Sequence, residues 1–281
     1  MCQHYQIHLR ILFKSFIDFF RDDGPMLAGS ISYFFVMAFF PFSLFLVSIF
    51  GYFLGENREF YNFLLEKLID FFPETTSAIT RELGAVITYK RIGIFTLLIY
   101  GFFSYQLYLS VEKAINIIFK ERVKRPFLIS ITLSFLIITL IITLIIISFG
   151  ATWVISMLNL LNKFFPGVVI SKISGILIGF IVPLLLISLI TTSLYIFLPK
   201  KSVMVRHALI GGLFTALFLE AAKHLFTLYI VLNLPHLGAI YGSLSAFVIF
   251  VLWIFYSASI FLIGGEVVHN LGIAKSPDRP S

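Results

Sequence analysis

Six long apolar stretches fill most of the chain, and this feature constrains the fold more than any other. About 20 predominantly apolar residues form a helix that spans the hydrocarbon core of a bilayer, and each stretch reaches that length. The stretches cover residues 26–54, 91–111, 127–155, 168–198, 205–233 and 238–269. The sequence therefore predicts an all-α polytopic membrane protein, with a single six-helix transmembrane domain over residues 1–270 and a short tail over residues 271–281.

The composition does not fit a soluble globular domain. Hydrophobic residues make up 59% of the chain and charged residues 12%, whereas roughly 25% of residues in a soluble domain are charged. The net charge of +7 comes from basic residues that are dispersed among the predicted helix ends. Since nucleic-acid-binding proteins concentrate such residues in one patch or stripe, we expect no nucleic-acid partner.

Lys and Arg residues lie unequally on the two sides of the predicted helices. The N-terminal segment, the second and fourth loops and the tail together carry 13 of them, and the opposite side carries 7. Cytoplasmic loops of membrane proteins are enriched in Lys and Arg. The charge distribution therefore predicts that both termini and the tail are cytoplasmic.

Two segments outside the apolar stretches show helical periodicity. Before the first span, apolar residues and charges recur at helical spacing, which predicts an N-terminal amphipathic helix on the inner leaflet. Asp22-Asp23-Gly24-Pro25 then predicts the start of the first span, because Asp caps helices and proline suits their first turn. In the first extracytoplasmic loop, apolar residues at helical spacing over residues 60–72 stop at Pro73. This pattern predicts two short helices over the outer mouth.

Charged residues inside the apolar stretches are candidates for a functional site. In the fifth span, Glu220 is followed at helical spacing by Lys223, His224 and Thr227, so the four residues share one stripe. Charges at membrane depth are costly and usually pair or face a cavity. Two interpretations remain open: a self-neutralising structural pair, or a site that binds a headgroup or couples to protons.

Three further features of the spans carry alternative interpretations. Glu266, near the cytoplasmic end of the sixth span, is predicted to meet Arg206 or His207 at the start of the fifth, either as an interfacial salt bridge or as a substrate ligand. Pro41 and Pro183 lie inside apolar stretches, where proline removes a backbone hydrogen bond. Each proline predicts either an ordinary packing kink or a broken helix that lines a cavity.

Short motifs along the chain resemble those of the YihY/BrkB family of inner-membrane proteins. The motifs are Asp23-Gly24-Pro25 with residues 28–34 and Phe40-Pro41, Lys113-Ala114-Ile115-Asn116, Leu194-Tyr195-Ile196-Phe197-Leu198-Pro199, Arg206-His207-Ala208 with Gly211, residues 220–229, Tyr241-Gly242, Leu252-Trp253, and Gly264-Gly265-Glu266. The resemblance covers residues 10–270. It implies six helices in the bacterial cytoplasmic (inner) membrane with both ends cytoplasmic, and a role in envelope biology such as lipid handling or export. It supplies no catalytic site.

Family members are often labelled ribonuclease BN, and the residues argue against that activity. A metal-dependent nuclease needs clustered His and carboxylate ligands on a water-exposed scaffold, whereas the six His residues here are scattered along the chain. No phosphate-binding glycine loop is present either. We therefore expect no enzyme activity, no catalytic residues, no metal and no cofactor.

Three classes of function remain after this reasoning. We favour a transporter or lipid translocase that handles an amphipathic or anionic substrate, with membrane lipids as partners. The alternative is a membrane scaffold that docks an envelope protein partner through the first extracytoplasmic loop. An intramembrane enzyme is the third class, and no converging nucleophile and base support it. The sequence does not define the substrate, transport direction, coupling ion or oligomeric state.

Overall fold

A computed structural model describes residues 2–53, 92–121, 180–241 and 244–274, and this part of the chain is helical, without strands. Its helices are α1 (Cys2–Arg21), α2 (Gly24–Phe53), α3 (Ile92–Ile118), α4 (Val182–Phe197), α5 (Val205–Tyr241) and α6 (Ser245–Ala274). Helices α2 to α6 coincide with five of the predicted apolar stretches. The stretch over residues 127–155, the first part of 168–198, the loop predicted to be extracytoplasmic and residues 275–281 lie outside the described residues.

Two described helical segments, Val205–Phe226 and Phe247–Ala274, are long and apolar enough to cross a bilayer. The apolar segments Gly24–Phe39 and Val182–Phe197 are shorter. Two helices end later than the predicted spans. The fifth stretch was predicted to end at residue 233, but α5 continues through Pro235 to Tyr241. The sixth was predicted to end at residue 269, but α6 extends to Ala274. Proline removes only one backbone hydrogen bond, and membrane helices accommodate that loss when neighbouring groups satisfy the freed carbonyl.

The junction between α1 and α2 is a tight turn. The α1 helix ends at Arg21, and Asp23 has a positive φ of 56°, a conformation that Asp and Asn adopt more readily than most residues. At Gly24 a Cβ atom would overlap the ring of Phe19 and lie 2.5 Å from its carbonyl oxygen. Only glycine fits there, so α2 begins directly after the turn, where the Asp-Gly-Pro sequence predicts its start.

The chain divides into two compact units. Unit 1 consists of Met1–Pro25, Glu112–His224 and Ser259–Ser281, and unit 2 consists of Met26–Val111 and Leu225–Ala258. Aromatic side chains pack within unit 2: the rings of Phe39 and Phe250 lie 5.0 Å apart, and those of Phe226 and Trp253 lie 5.1 Å apart. A hydrogen bond of 2.8 Å between Ser30 and Ser110 also joins α2 to α3 there.

Close packing around one tyrosine joins α4, α5 and α6 in unit 1. Tyr195 of α4 is fully buried, and its ring stacks on Phe261 of α6 at 5.1 Å. Its hydroxyl donates to the Phe261 carbonyl oxygen at 2.5 Å and lies 2.8 Å from the Thr215 hydroxyl of α5. Gly264 faces these two hydroxyls without a side chain. The three helices approach closely because of this small residue.

Candidate functional site

A charged triad on α5 is the first candidate site in unit 1, and it consists of Glu220, Lys223 and His224. Glu220 is buried, and its Oε1 atom forms an ion pair with the Lys223 ammonium group. His224 Nε2 lies 3.7 Å from the same oxygen. The Lys223 and His224 side chains are 45% and 73% exposed. One acid therefore lies inside the protein, and two bases lie on the surface beside it.

The triad lies far along an apolar helix. At a rise of 1.5 Å per residue, Glu220 is about 22 Å from the first residue of α5, Val205, within the segment long enough to span a bilayer. Leu213 and Leu217, which share the face of His224, are exposed. An exposed apolar surface of this kind is typical of helices that contact lipid. The two bases thus interrupt an otherwise apolar surface.

Of the other predicted α5 residues, Arg206 is described by its side chain and Thr227 only by its backbone. Thr227 lies in α5, and its side chain falls outside the described residues. Arg206 lies in the first turn of the helix, where it is exposed. Its distance along the axis from Glu220 is about 21 Å, so it belongs to the other end of the segment.

A second cluster, which the sequence analysis did not predict, lies where α1 meets the C-terminal part of α6. We call it the carboxylate cluster, and its members are Asp18, Asp22 and Glu266. Asp22 pairs with Lys120, which follows α3. The side-chain amide of Asn270 donates to Asp18 at 3.0 Å and to Ser15 at 3.1 Å. These contacts fix α1 against α6.

Glu266 is the most buried member of the carboxylate cluster. Its exposed fraction is 0%, and neither carboxylate oxygen has a hydrogen-bond donor among the described residues. The charged side chains near enough to interact electrostatically with Glu266 are those of Asp22, Lys120 and Asp18. The predicted pairing of Glu266 with Arg206 or His207 is not found in the described structure. Arg206 points outward, and the turn after α1 occupies the neighbourhood of Glu266 instead.

The signal for this cluster was present in the sequence of α1. Ser15, Asp18 and Asp22 recur at helical spacing on one face, opposite the exposed Phe13, Phe16 and Phe20. A soluble helix would bury the phenylalanines, whereas α1 directs its polar face into the protein. The polar face could therefore have been assigned a partner from the sequence, but the identity of that partner could not.

The two prolines predicted to break helices lie in α2 and α4. Pro41 is buried inside α2, which continues through it, and Pro183 lies in the first turn of α4. Whether the chain before residue 180 continues this helix falls outside the described residues. No group of three or more His, Cys, Asp or Glu side chains in the described ranges is arranged to hold a metal ion.

Known proteins place this chain in a family. It matches the family described as virulence factor BrkB over residues 16–280. A UPF0761 membrane protein of Azotobacter vinelandii is 30% identical over 95% of the chain and 63% of its own length, and one of Pseudomonas paraeruginosa is 32% identical over 92% of the chain and 61% of its own length. One of Aliivibrio salmonicida is 28% identical over 97% of the chain and 87% of its own length.

The chain thus spans less than two thirds of the length of the first two of these relatives. No solved structure matches the protein. The family match covers the motifs on which the resemblance rests, from the turn before α2 to Gly264-Gly265-Glu266 in α6. We conclude that the chain belongs to the BrkB family of membrane proteins.

Proposed function

We propose that this protein is a transporter or lipid translocase of the bacterial inner membrane that moves an amphipathic or anionic substrate. In this proposal six helices span the membrane, both termini are cytoplasmic, and α1 lies on the inner leaflet. The observation that carries the proposal is the charged triad of α5, with a buried acid and two exposed bases.

Charge balance favours a binding role for the triad over a purely structural one. An exposed Lys at membrane depth costs about 2.5–3.5 kcal/mol on insertion scales, and Glu220 alone is enough to neutralise it. His224 adds a second base next to the same carboxylate and is the more exposed of the two. Two exposed nitrogen donors held by one buried acid match the phosphate of a lipid headgroup.

The arrangement of α1 supports the membrane placement. Its exposed residues include the apolar Phe13, Phe16 and Phe20 and the basic Lys14 and Arg21. An apolar face flanked by basic residues binds the surface of an anionic leaflet. Because the polar face of α1 is held by Asn270, the apolar face is the one that remains for lipid.

Transport of a labelled anionic phospholipid tests the proposal. The purified protein is reconstituted into vesicles that contain fluorescent phosphatidylglycerol, and a membrane-impermeant quencher reports movement between leaflets. We expect the wild-type protein to expose inner-leaflet label to the quencher. The double variant Glu220→Gln with Lys223→Gln should remain folded, because a paired removal leaves no lone buried charge, and should lose this activity.

The matched control is Lys113→Gln, which removes an exposed lysine of α3 that lies outside the triad. It should retain wild-type transport. A folded double variant with full transport would exclude the triad as the site. A wild-type protein that moves neither phosphatidylglycerol nor phosphatidylcholine would overturn the translocase proposal, and the scaffold alternative would then take its place.

A further inference from the structure

Glu266 and Asn270 lie one turn apart on α6, so they share one face of the helix. Both side chains are buried, with exposed fractions of 0% and 3%. Neither carboxylate oxygen of Glu266 has a hydrogen-bond donor among the described residues, and neither does the Oδ1 atom of Asn270. Burial removes the hydration of these oxygens, so each of them needs a donor or a cation in its place.

The contacts of Asn270 with α1 fix the direction in which its amide points. Its Nδ2 atom donates to the Ser15 hydroxyl at 3.1 Å and to Oδ2 of Asp18 at 3.0 Å. The Ser15 hydroxyl donates its own hydrogen to the Ile11 carbonyl oxygen at 2.9 Å, and an ionised carboxylate only accepts hydrogen bonds. Both contacts therefore require the amide nitrogen, and a flipped amide would break them. The Oδ1 atom is thus held in place as an acceptor.

The lysine beside these side chains is already paired. Lys120 forms an ion pair with Asp22, and its side chain is 56% exposed, so water screens much of its charge. Asp18 is near enough to interact electrostatically with Glu266 and adds a further negative charge. A proton on Glu266 would supply one donor, but Asp18 would still have only a neutral amide as its bonded partner. A metal cation would satisfy the acceptors of both helices at once.

The chemistry of the oxygens selects the kind of cation. None of the three side chains is a His or Cys, the ligands that transition metals favour. Na⁺ and Ca²⁺ are hard cations, which bind carboxylate and amide oxygens together with water. Two ligands one turn apart on the same helix can hold one ion, and Asn270 bonds to only one of the two Asp18 oxygens. This set includes an amide, so it differs from groups of three or more His, Cys, Asp or Glu side chains, which the described ranges lack.

We propose that Glu266, Asn270 and Asp18 form a binding site for a hard metal cation, Na⁺ or Ca²⁺, between α6 and α1. The two carboxylates supply the negative charge, Asn270 Oδ1 supplies a third oxygen, and water completes the coordination. Asp18 is only half-buried, so the ion enters from the α1 side. Because its ligands come from both helices, the bound cation holds α1 against α6. The site is separate from the α5 triad, and its test does not depend on transport.

Ion-dependent stability of the purified protein in detergent tests the site. The protein is treated with a chelator and transferred into N-methyl-D-glucamine chloride, and Na⁺ or Ca²⁺ then replaces that cation at constant ionic strength. An ion that binds the folded protein raises its apparent melting temperature in proportion to the logarithm of the ion concentration above the dissociation constant. We expect a rise of several degrees with at least one ion. A rise with Na⁺ alone identifies a monovalent site, and one with Ca²⁺ alone identifies a divalent site.

Three variants locate the effect in the chain. Glu266→Gln keeps the size of the side chain and removes its charge, so it should fold and lose the ion-dependent rise. Asp18→Asn, at a half-buried position, should need a severalfold higher ion concentration for the same rise. Glu121→Gln changes a carboxylate outside the site and is the matched control, which should respond like the wild-type protein.

A wild-type melting temperature that responds to neither ion would overturn the proposal, because Glu266 would then be neutralised without a metal cation. An undiminished rise in Glu266→Gln would also overturn it, since the ion would act elsewhere on the protein. If Glu266→Gln does not fold, Asp18→Asn decides the question, and an unchanged response in that variant contradicts the site.

Discussion

The tight packing of Gly264 against Tyr195 and Thr215 gives a prediction whose size follows from the structure. In Gly264→Ala, the new Cβ would overlap the Thr215 hydroxyl and the Tyr195 hydroxyl and would lie 3.3 Å from Thr215 Cβ. Both hydroxyls already bond to their neighbours, Tyr195 to the Phe261 carbonyl and Thr215 to the Gly211 carbonyl. They cannot move without breaking a buried hydrogen bond.

Overpacking of a well-packed core typically costs about 1–3 kcal/mol, and a displaced buried hydrogen bond adds roughly 1 kcal/mol. The gain in helix propensity from glycine to alanine returns about 1 kcal/mol. We therefore expect Gly264→Ala to lower the free energy of unfolding by about 1–3 kcal/mol. Gly101→Ala is the matched control, because a Cβ at Gly101 in α3 meets no atom within 4 Å, and it should leave stability unchanged or slightly raised.

Apparent melting temperatures in one detergent, followed by circular dichroism of the helices, measure the difference. A double variant, Gly264→Ala with Thr215→Ala, removes the hydroxyl that the new methyl group would overlap. The double variant should therefore lose less stability than the losses of the two single variants added together. If Gly264→Ala has the same apparent melting temperature as Gly101→Ala, the packing argument is refuted. It is also refuted if the effects of Gly264→Ala and Thr215→Ala on stability are strictly additive.

The remaining predictions concern topology, the first loop and α1. A cysteine placed at Arg58 should be labelled from outside the cell. A cysteine placed at Lys124 should be labelled only after permeabilisation, and labelling of Lys124→Cys in intact cells would contradict the predicted orientation. Deletion of residues 60–72 should abolish function while the spans still insert, and a deletion variant that complements fully would remove any role for that segment. Phe16→Glu should weaken binding of a synthetic α1 peptide to anionic vesicles severalfold, because it places a negative charge on the exposed apolar face, whereas Arg21→Lys should leave binding nearly unchanged.

Apolar length located α2 to α6, because a long apolar segment can be recognised from its own residues alone. The start of α2 was also predictable, since the Asp-Gly-Pro turn is encoded by adjacent residues. The surroundings of Glu266 were not. Hydropathy indicates how deep a residue lies, whereas the side chains that surround Glu266 depend on how α6 is rotated against the end of α1. The continuation of α5 through Pro235 was missed for a related reason, because proline ends helices in water more reliably than in membranes.

The candidate residues divide in the same way. Glu220, Lys223 and His224 were grouped correctly because helical spacing alone brings them together. In the sequence, Tyr195 and Gly264 belong to two separate family motifs, and no pattern singles out Thr215. Their contact depends on three helices, and no local pattern encodes it.

The bond between Asn270 and Ser15 has a consequence for biosynthesis. The two residues are 255 positions apart, and ribosomes add about 5–20 residues per second. The polar face of α1 is therefore synthesised about 13–50 s before Asn270, its partner on α6. During that interval the Ser15 and Asp18 side chains of α1 lack the Asn270 amide to which they bond in the folded protein. Docking of α1 on α6 is thus a late step in assembly, and a nascent chain stopped before α6 will carry an α1 helix whose polar face has not yet met Asn270.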